Sequence, residues 1–273
     1  MEKLELTKAL IIKRPSLSCK TPYVADAYVY EEDGSCMVHT PALGCCGLSD
    51  KDAVVYMSKV RNKKNVCNYR VELSSIYEPK IQRNIFVGIN PKLAEELVNH
   101  ALINNSFSFL SHLKSFKREK KIEGTNSRFD FVGVDKNDKP FVLEVKNVPL
   151  ADYVDCDAKE RKKMDPHKFD EVDYDEKIAY FPDGYRKTKK EPVSPRAIKH
   201  LHDLKSISTN YRTIMCYVIQ REDVKYFQPS VIDPFYREAF YDAYENGVEM
   251  HAVQFVWDEN GNFILKNDNI KIL

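Results

Sequence analysis

One short stretch holds residue types whose spacing could do chemistry together. From Glu123 to Lys146 the chain reads EGTNSRFDFVGVDKNDKPFVLEVK. Two apolar runs, FDFVGV and PFVLEVK, flank the turn-forming DKND, which predicts a hairpin. Strand alternation sets Phe141, Leu143 and Val145 on one face and Val142, Glu144 and Lys146 on the other. Opposite residues of an antiparallel pair point the same way. With a loop of odd length near Asn137, Asp130 falls opposite Glu144 or Lys146. Two converging carboxylates suit a hard divalent cation, Mg2+ or Mn2+, bound through oxygen and shared with phosphate. A lysine two residues on would neutralise a phosphate, or position and polarise an attacking water. Glu123 precedes Asp130 by seven residues. It is expected to add a third carboxylate from a preceding helix. The expected metal ligands are therefore Asp130, Glu144 and Glu123, with Lys146 completing the catalytic set.

Glu-x-Lys on a strand is common, and it is usually a solvated edge. Joined to Asp130 and Glu123, it resembles the Glu, Asp, Glu-x-Lys order of the PD-(D/E)xK restriction-endonuclease-like nucleases. Segments around it carry a second resemblance. SRFDF (127–131) and EVKNVPL (144–150) look like segments of the sugar fermentation stimulation protein family. So do FPD (181–183), SPRAIKHLHDL (194–204), IQREDV (219–224) and DPFYREAFYDAYENGVEMHA (233–252). VHTPALG (38–44) resembles a further family stretch, with Ala42 and Cys45 replacing the family's Asn and Arg. The resemblance implies an N-terminal OB-like barrel, nucleic-acid binding, and a site built on the residues above. Arg196 matches a family arginine, while Ala197 replaces its glycine. Gln220 and Arg221 also match, and either face the site or simply bond the sheet.

These residues must be positioned by the rest of the chain. Its 273 residues, 43% apolar, suffice for two modest domains or one large one. A net charge of +1 excludes a globally polycationic protein, so any basic surface is local. Seven cysteines without CxxC or Cys/His spacing read as reduced thiols, neither a disulfide framework nor a zinc site. The charged start MEKLELTK is no secretory signal, and no apolar run approaches a membrane span. An intracellular, cytoplasmic protein is expected, nuclear if the source is eukaryotic.

Short strands are expected at LTKALIIKR, YVADAYVYEE, SCMVHT, AVVYMSKV and YRVELSSIYE, which suggests a small β barrel. Tyr28, Tyr30, Tyr56 and Tyr69 are expected to pack inside. The loop with Arg61, Lys63 and Lys64 is either solvated or a nucleic-acid contact. Asn90-Pro91 starts a helix with Leu93, Leu97, Val98 and Ala101 on its apolar face. A second helix is expected over FSFLSHLKSFKREKK, ending in Lys114, Lys117, Arg118, Lys120 and Lys121. That charge run is either a solvated face or a phosphate contact beside the site. Asp152 to Glu176 holds ten carboxylates. It reads as a mobile insertion, with cover for a basic groove as the sharper alternative. A basic second insertion follows, with Arg186, Lys187, Lys189 and Lys190. Ser194-Pro195 starts a helix with Ile198, Leu201 and Leu204 buried, leaving Arg196, Lys199 and His200 for phosphates. RTIMCYVIQ is a buried strand. Asp233-Pro234 opens a helix with Phe235, Ala239, Phe240 and Ala243 inward, ended by Gly247. A last hairpin turns at ENGN.

The expected fold is mixed α+β: an OB-like barrel over 1–88 and a restriction-endonuclease-like α/β domain over 89–273. Charged insertions are expected at about 151–177 and 184–193. The expected function is metal-dependent phosphodiester hydrolysis, with Arg128, Arg196, Lys199, His200, Lys117 and Arg118 on nucleic acid, most simply DNA. A homodimer is compatible with this reading. The alternative is a non-enzymatic, largely sequence-nonspecific DNA-binding regulator.

Overall fold

The computed structural model describes residues 3–41, 45–60, 66–165, 167–182 and 191–273. The alternating N-terminal runs form β1 (Thr7–Lys13), β2 (Val24–Val29), β3 (Gly34–His39), β4 (Val54–Lys59), β5 (Tyr69–Glu78) and β6 (Arg83–Gly88). They pair in the order β3-β2-β1-β4-β5-β6, and β3 also pairs in parallel with β5. Ala9, Ile11, Ala27, Val38, Val55, Met57 and Val71 form the buried cluster between them. β6 is an addition to the five expected strands, since its polar start hides the period. Of the four tyrosines expected inside, Tyr69 is buried, whereas Tyr30 stands exposed beside Tyr28.

Helix α1 (Pro91–Ile103) begins as its sequence dictates. The Asn90 side chain accepts the Lys92 amide at 3.1 Å, and Leu93, Ala94, Leu97, Val98 and Ala101 are buried. The expected helix over FSFLSHLKSFKREKK does not form; its C-terminal part is strand β7 (Ser115–Lys121). β8 (Arg128–Val134) has a free edge on that side, and the backbone bonds of an added strand outweigh helix propensity there. β9 (Pro140–Val148) completes the hairpin.

The acidic segment opens with β10 (Ala151–Asp152) and α2 (Ala158–Arg161), and it leads into β11 (Lys177–Phe181). Contrary to the expectation of a mobile insertion, its described residues are anchored. Asp155 is buried and accepts from Gln228, Ser230 and the Val231 amide at 2.8–3.0 Å. Tyr153 stacks on Phe169, whose carbonyl accepts from Lys80 at 2.5 Å. Its charges are solvated while a few residues fasten it. The basic second insertion lies outside the described residues, apart from its last residues.

α3 (Pro195–Ile207), β12 (Arg212–Ile219), β13 (Val224–Pro229), α4 (Pro234–Glu245), β14 (Glu249–Trp257), β15 (Phe263–Asn267) and β16 (Lys271–Ile272) complete the chain. The main sheet runs β15-β14-β12-β9-β8-β7, and β10-β11-β13-β16 form a smaller one. β12 lies parallel between β9 and β14. Its Ile214, Cys216 and Val218 join the α1 side, while Met215, Tyr217 and Ile219 join the α3 and α4 side. Burial on both faces explains its unbroken apolar run. On α4 the inward aromatics are Tyr236 and Phe240; Phe235, expected inside, is 40% exposed. No helix among the described residues is long and apolar enough to cross a membrane.

Candidate functional site

The hairpin register decides which side chains meet. Phe131 pairs with Leu143 and Val132 with Val142, a register that runs toward Asp130 and Glu144 and leaves them close enough for the charge of Glu144 to act on Asp130. The turn is held by Asp135, whose carboxylate accepts the Asn137 and Lys139 amides at 2.8 and 3.0 Å. Asp138 takes the left-handed conformation, φ 63°, that closes a loop of this kind.

Asp130 accepts the Val145 amide at 2.7 Å. Burial, and then the charge of Glu144, push its carboxyl up to about 7 against that bond and Lys146. Glu144 is 3% exposed. Burial would raise its pKa, but Lys146 and His200 together hold it below the usual carboxylate range. Its Oε1 takes Lys146 Nζ at 2.6 Å and His200 Nδ1. Its Oε2 is buried with no hydrogen-bond partner among the described residues. An acceptor left in that state is costly unless something else faces it.

α3 brings in His200, which is buried rather than available at the surface for phosphate. The sequence held a signal for this. Ala197, Leu201, Leu204 and Ile207 make a buried stripe, and His200 lies on it, three residues after Ala197 and four before Leu204. Arg196 is exposed, and its Nε donates to His200 Nε2 at 3.5 Å. Lys199 Nζ donates to the Asn126 carbonyl at 2.8 Å and Ser127 Oγ at 3.2 Å.

The other expected residues scatter more widely. Glu123 is exposed in the turn after a strand, not on a helix. Arg128 is exposed, with Glu119 at 3.6 Å. Arg118 pairs with Glu96 at 2.7 Å and Glu95 at 3.6 Å, while Lys117 stays exposed. Gln220 and Arg221 bond the sheet. Gln220 donates to Asn147 at 2.8 Å and accepts from Trp257 at 2.9 Å, and Arg221 grips Asp223. Arg61, Lys63, Lys64 and Ala42 lie outside the described residues.

One carboxylate was not anticipated. Glu95 sits in α1, a helix to which the sequence assigned only packing. Burial raises its pKa, opposed by Lys92 and Arg118 and reinforced by Glu119 and Glu144. Its charge in turn raises that of Asp130. No motif spacing links it to the hairpin, so only the fold places it near. Among the described residues, no three His, Cys, Asp or Glu side chains are grouped so as to hold a metal.

A family profile described as "Sugar fermentation stimulation protein RE domain" matches residues 92–159 and 170–261. That is more than half of the chain. The chain belongs to the sugar fermentation stimulation protein family. The residues between the matched blocks lie in the acidic segment. The sugar fermentation stimulation protein homolog of Pelagibacter ubique is 30% identical over 254 residues, covering 92% of each chain. The homolog of Clostridium kluyveri is 28% identical over 271 residues, covering 98% of this chain and 96% of its own. The structure of the Pyrococcus furiosus family member, solved in complex with Ca2+, superposes with a TM-score of 0.74 at 15% identity. It covers 100% of this chain and 98% of that one. The mixed α+β fold is therefore that of the sugar fermentation stimulation proteins, with all the site residues inside the shared fold.

Proposed function

We propose that this family member is a divalent-cation-dependent phosphodiester hydrolase acting on nucleic acid, DNA foremost. The observation that carries the reading is the buried Oε2 of Glu144, without a hydrogen-bond partner among the described residues, on a carboxylate close enough to act on Asp130. Two carboxylates on adjacent strands are enough for Mg2+ or Mn2+, which keep several waters and share phosphate oxygens. A bound cation of this kind supplies Lewis-acid charge at the scissile phosphate. The calcium complex of the Pyrococcus furiosus relative supports the choice of a hard divalent ion.

In this reading Asp130 and Glu144 hold the cation. Lys146, fastened to Glu144, keeps a positive charge beside the reacting phosphate and orients water. Exposed Arg196 and Arg128 meet flanking phosphates. The N-terminal pairing order, with β3 also pairing with β5, supports reading this sheet as an OB-like barrel. Such barrels bind oligonucleotides, which supports a nucleic-acid substrate.

The test is a panel of labelled DNA, RNA and cyclic oligonucleotides incubated with Mg2+, Mn2+ or chelator. Cleavage is expected only with cation, and Lys146→Ala should abolish turnover while binding largely persists. Absence of cleavage throughout, with salt-sensitive DNA binding that needs no metal, would replace this reading with the non-enzymatic regulator.

A further inference from the structure

His200 reaches Glu144 from α3. Its ring is 4% exposed, between the buried carboxylate and the exposed Arg196. The two ring nitrogens have different tasks. Arg196 Nε–H points at Nε2, so Nε2 is the acceptor and the proton sits on Nδ1. Nδ1–H then donates to Glu144 Oε1. Lys146 Nζ lies 3.2 Å from Nδ1 and 2.6 Å from Oε1. In this tautomer Nδ1 accepts nothing, so the lysine donates to the carboxylate. Oε1 thus receives two donors, and Oε2 has none among the described residues.

We propose that His200 is a positioning residue that spends one oxygen of Glu144 and thereby presents the other to the cation, with Arg196 fixing the tautomer. The proposal rests on reading Asp130 and Glu144 as cation ligands. A carboxylate turning freely about its last bond would offer either oxygen, and Lys146 alone, on a flexible stem, would follow it. A ring packed into the helix–sheet interface with Ala197 and Leu201 does not follow. Partners of this kind orient ligating groups, and their loss lowers metal affinity about 10–100-fold.

The experiment is calorimetric titration of Mn2+ alone into the full-length, metal-free protein, with thermal melting as a check on folding. Four variants are compared: Glu144→Gln, His200→Leu, His200→Gln and His200→Asn. The Asn amide can stand in for Nδ1–H, whereas Gln places its amide nearer Nε2 and Leu has no donor. Wild type should bind, and Glu144→Gln should not. His200→Leu and His200→Gln should weaken Mn2+ binding by about 10–100-fold, and His200→Asn should restore most of it. Wild-type affinity in His200→Gln or His200→Leu, alongside loss in Glu144→Gln, overturns the role of His200 and spares the cation site. Equal weakening in His200→Asn and His200→Gln also overturns it, since packing alone would then matter. Should His200→Leu fail to fold, the Asn and Gln comparison decides. Failure of wild type to bind, or unchanged binding in Glu144→Gln, overturns the cation site itself and the positioning role with it.

Discussion

Asp130 carries a carboxyl that its surroundings disfavour in the charged form. Its pKa stands at about 7 in the folded protein against an ordinary value of 3.8. The sign follows from linkage: the folded state binds this proton more tightly than the unfolded state does. Without cation, the protein should lose stability as pH rises from about 4 through 7, and recover it as pH falls. Asp130→Asn keeps a side-chain oxygen for the Val145 amide and removes the buried charge. At pH 8 it should stabilise the metal-free protein by ~2–4 kcal/mol, from ~1.4 kcal/mol per pKa unit. At pH 4 the difference should vanish. Urea midpoints of both proteins at the two pH values check this. A wild type that is the more stable at pH 8 would contradict it. Lys146 sits at the same scale: its ammonium is one of two donors to Glu144, so its removal should end the proposed hydrolysis.

The hairpin and the edge strand beside it set the position of the carboxylates. Gly133 lies where β8 passes β7, and a Cβ there would run into the Ser115 backbone carbonyl and the Phe141 ring. A carbonyl in a strand pairing cannot swing aside as a flexible side chain can. Gly133→Ala should therefore destabilise the protein by about 1–3 kcal/mol, by analogy with overpacked cores, and loosen β7 first. Hydrogen exchange should show faster exchange of β7 amides than of β12 amides. Uniform protection unchanged from wild type would rule this out. β7 also shows why its charged sequence was misread. SFKREKK has helix formers, but its first five residues alternate between exposed and half-buried along the edge of a sheet.

Across the whole molecule, ionic contacts bind the N-terminal sheet to the rest. Lys177 on β11 reaches Glu78 on β5 and Asp223 before β13, each at 2.7 Å, and Arg221 pairs with Asp223 at 2.6 Å. Burial would raise Asp223, but Arg221 and then Lys177 hold it down to about 2. A depressed carboxylate contributes stability above its ordinary 3.8, and that contribution is lost as pH falls from 3.8 to about 2. Lys177→Met leaves two buried carboxylates short of a partner and should cost ~3 kcal/mol at pH 7. The penalty should shrink as pH falls toward 2, where Asp223 begins to take up its proton. Thermal unfolding at pH 7 and pH 2.5 measures it; an equal loss at both would point to packing. Backbone joins the same surfaces, since the Gly88 amide donates to the Gln220 carbonyl at 2.8 Å.

The hairpin and its apolar and polar faces were determined by the sequence alone, whereas the convergence of Asp130 with Glu144 needed the register, which the five-residue loop 135–139 decides. The hairpin and its faces depend on alternation and a turn, which are local. The caps of α1 and α4, the buried run of β12 and the family motifs were legible for the same reason. What the sequence left open depended on distant partners. The strand at β7 exists because β8 has an edge to fill. His200 is buried because its helix face packs on the sheet, and Glu95 is near the site because α1 covers the other face. The acidic segment looked mobile by composition, yet Asp155 finds three donors near β13. Such placements are set by which surfaces meet in three dimensions, and spacing along the chain does not encode them.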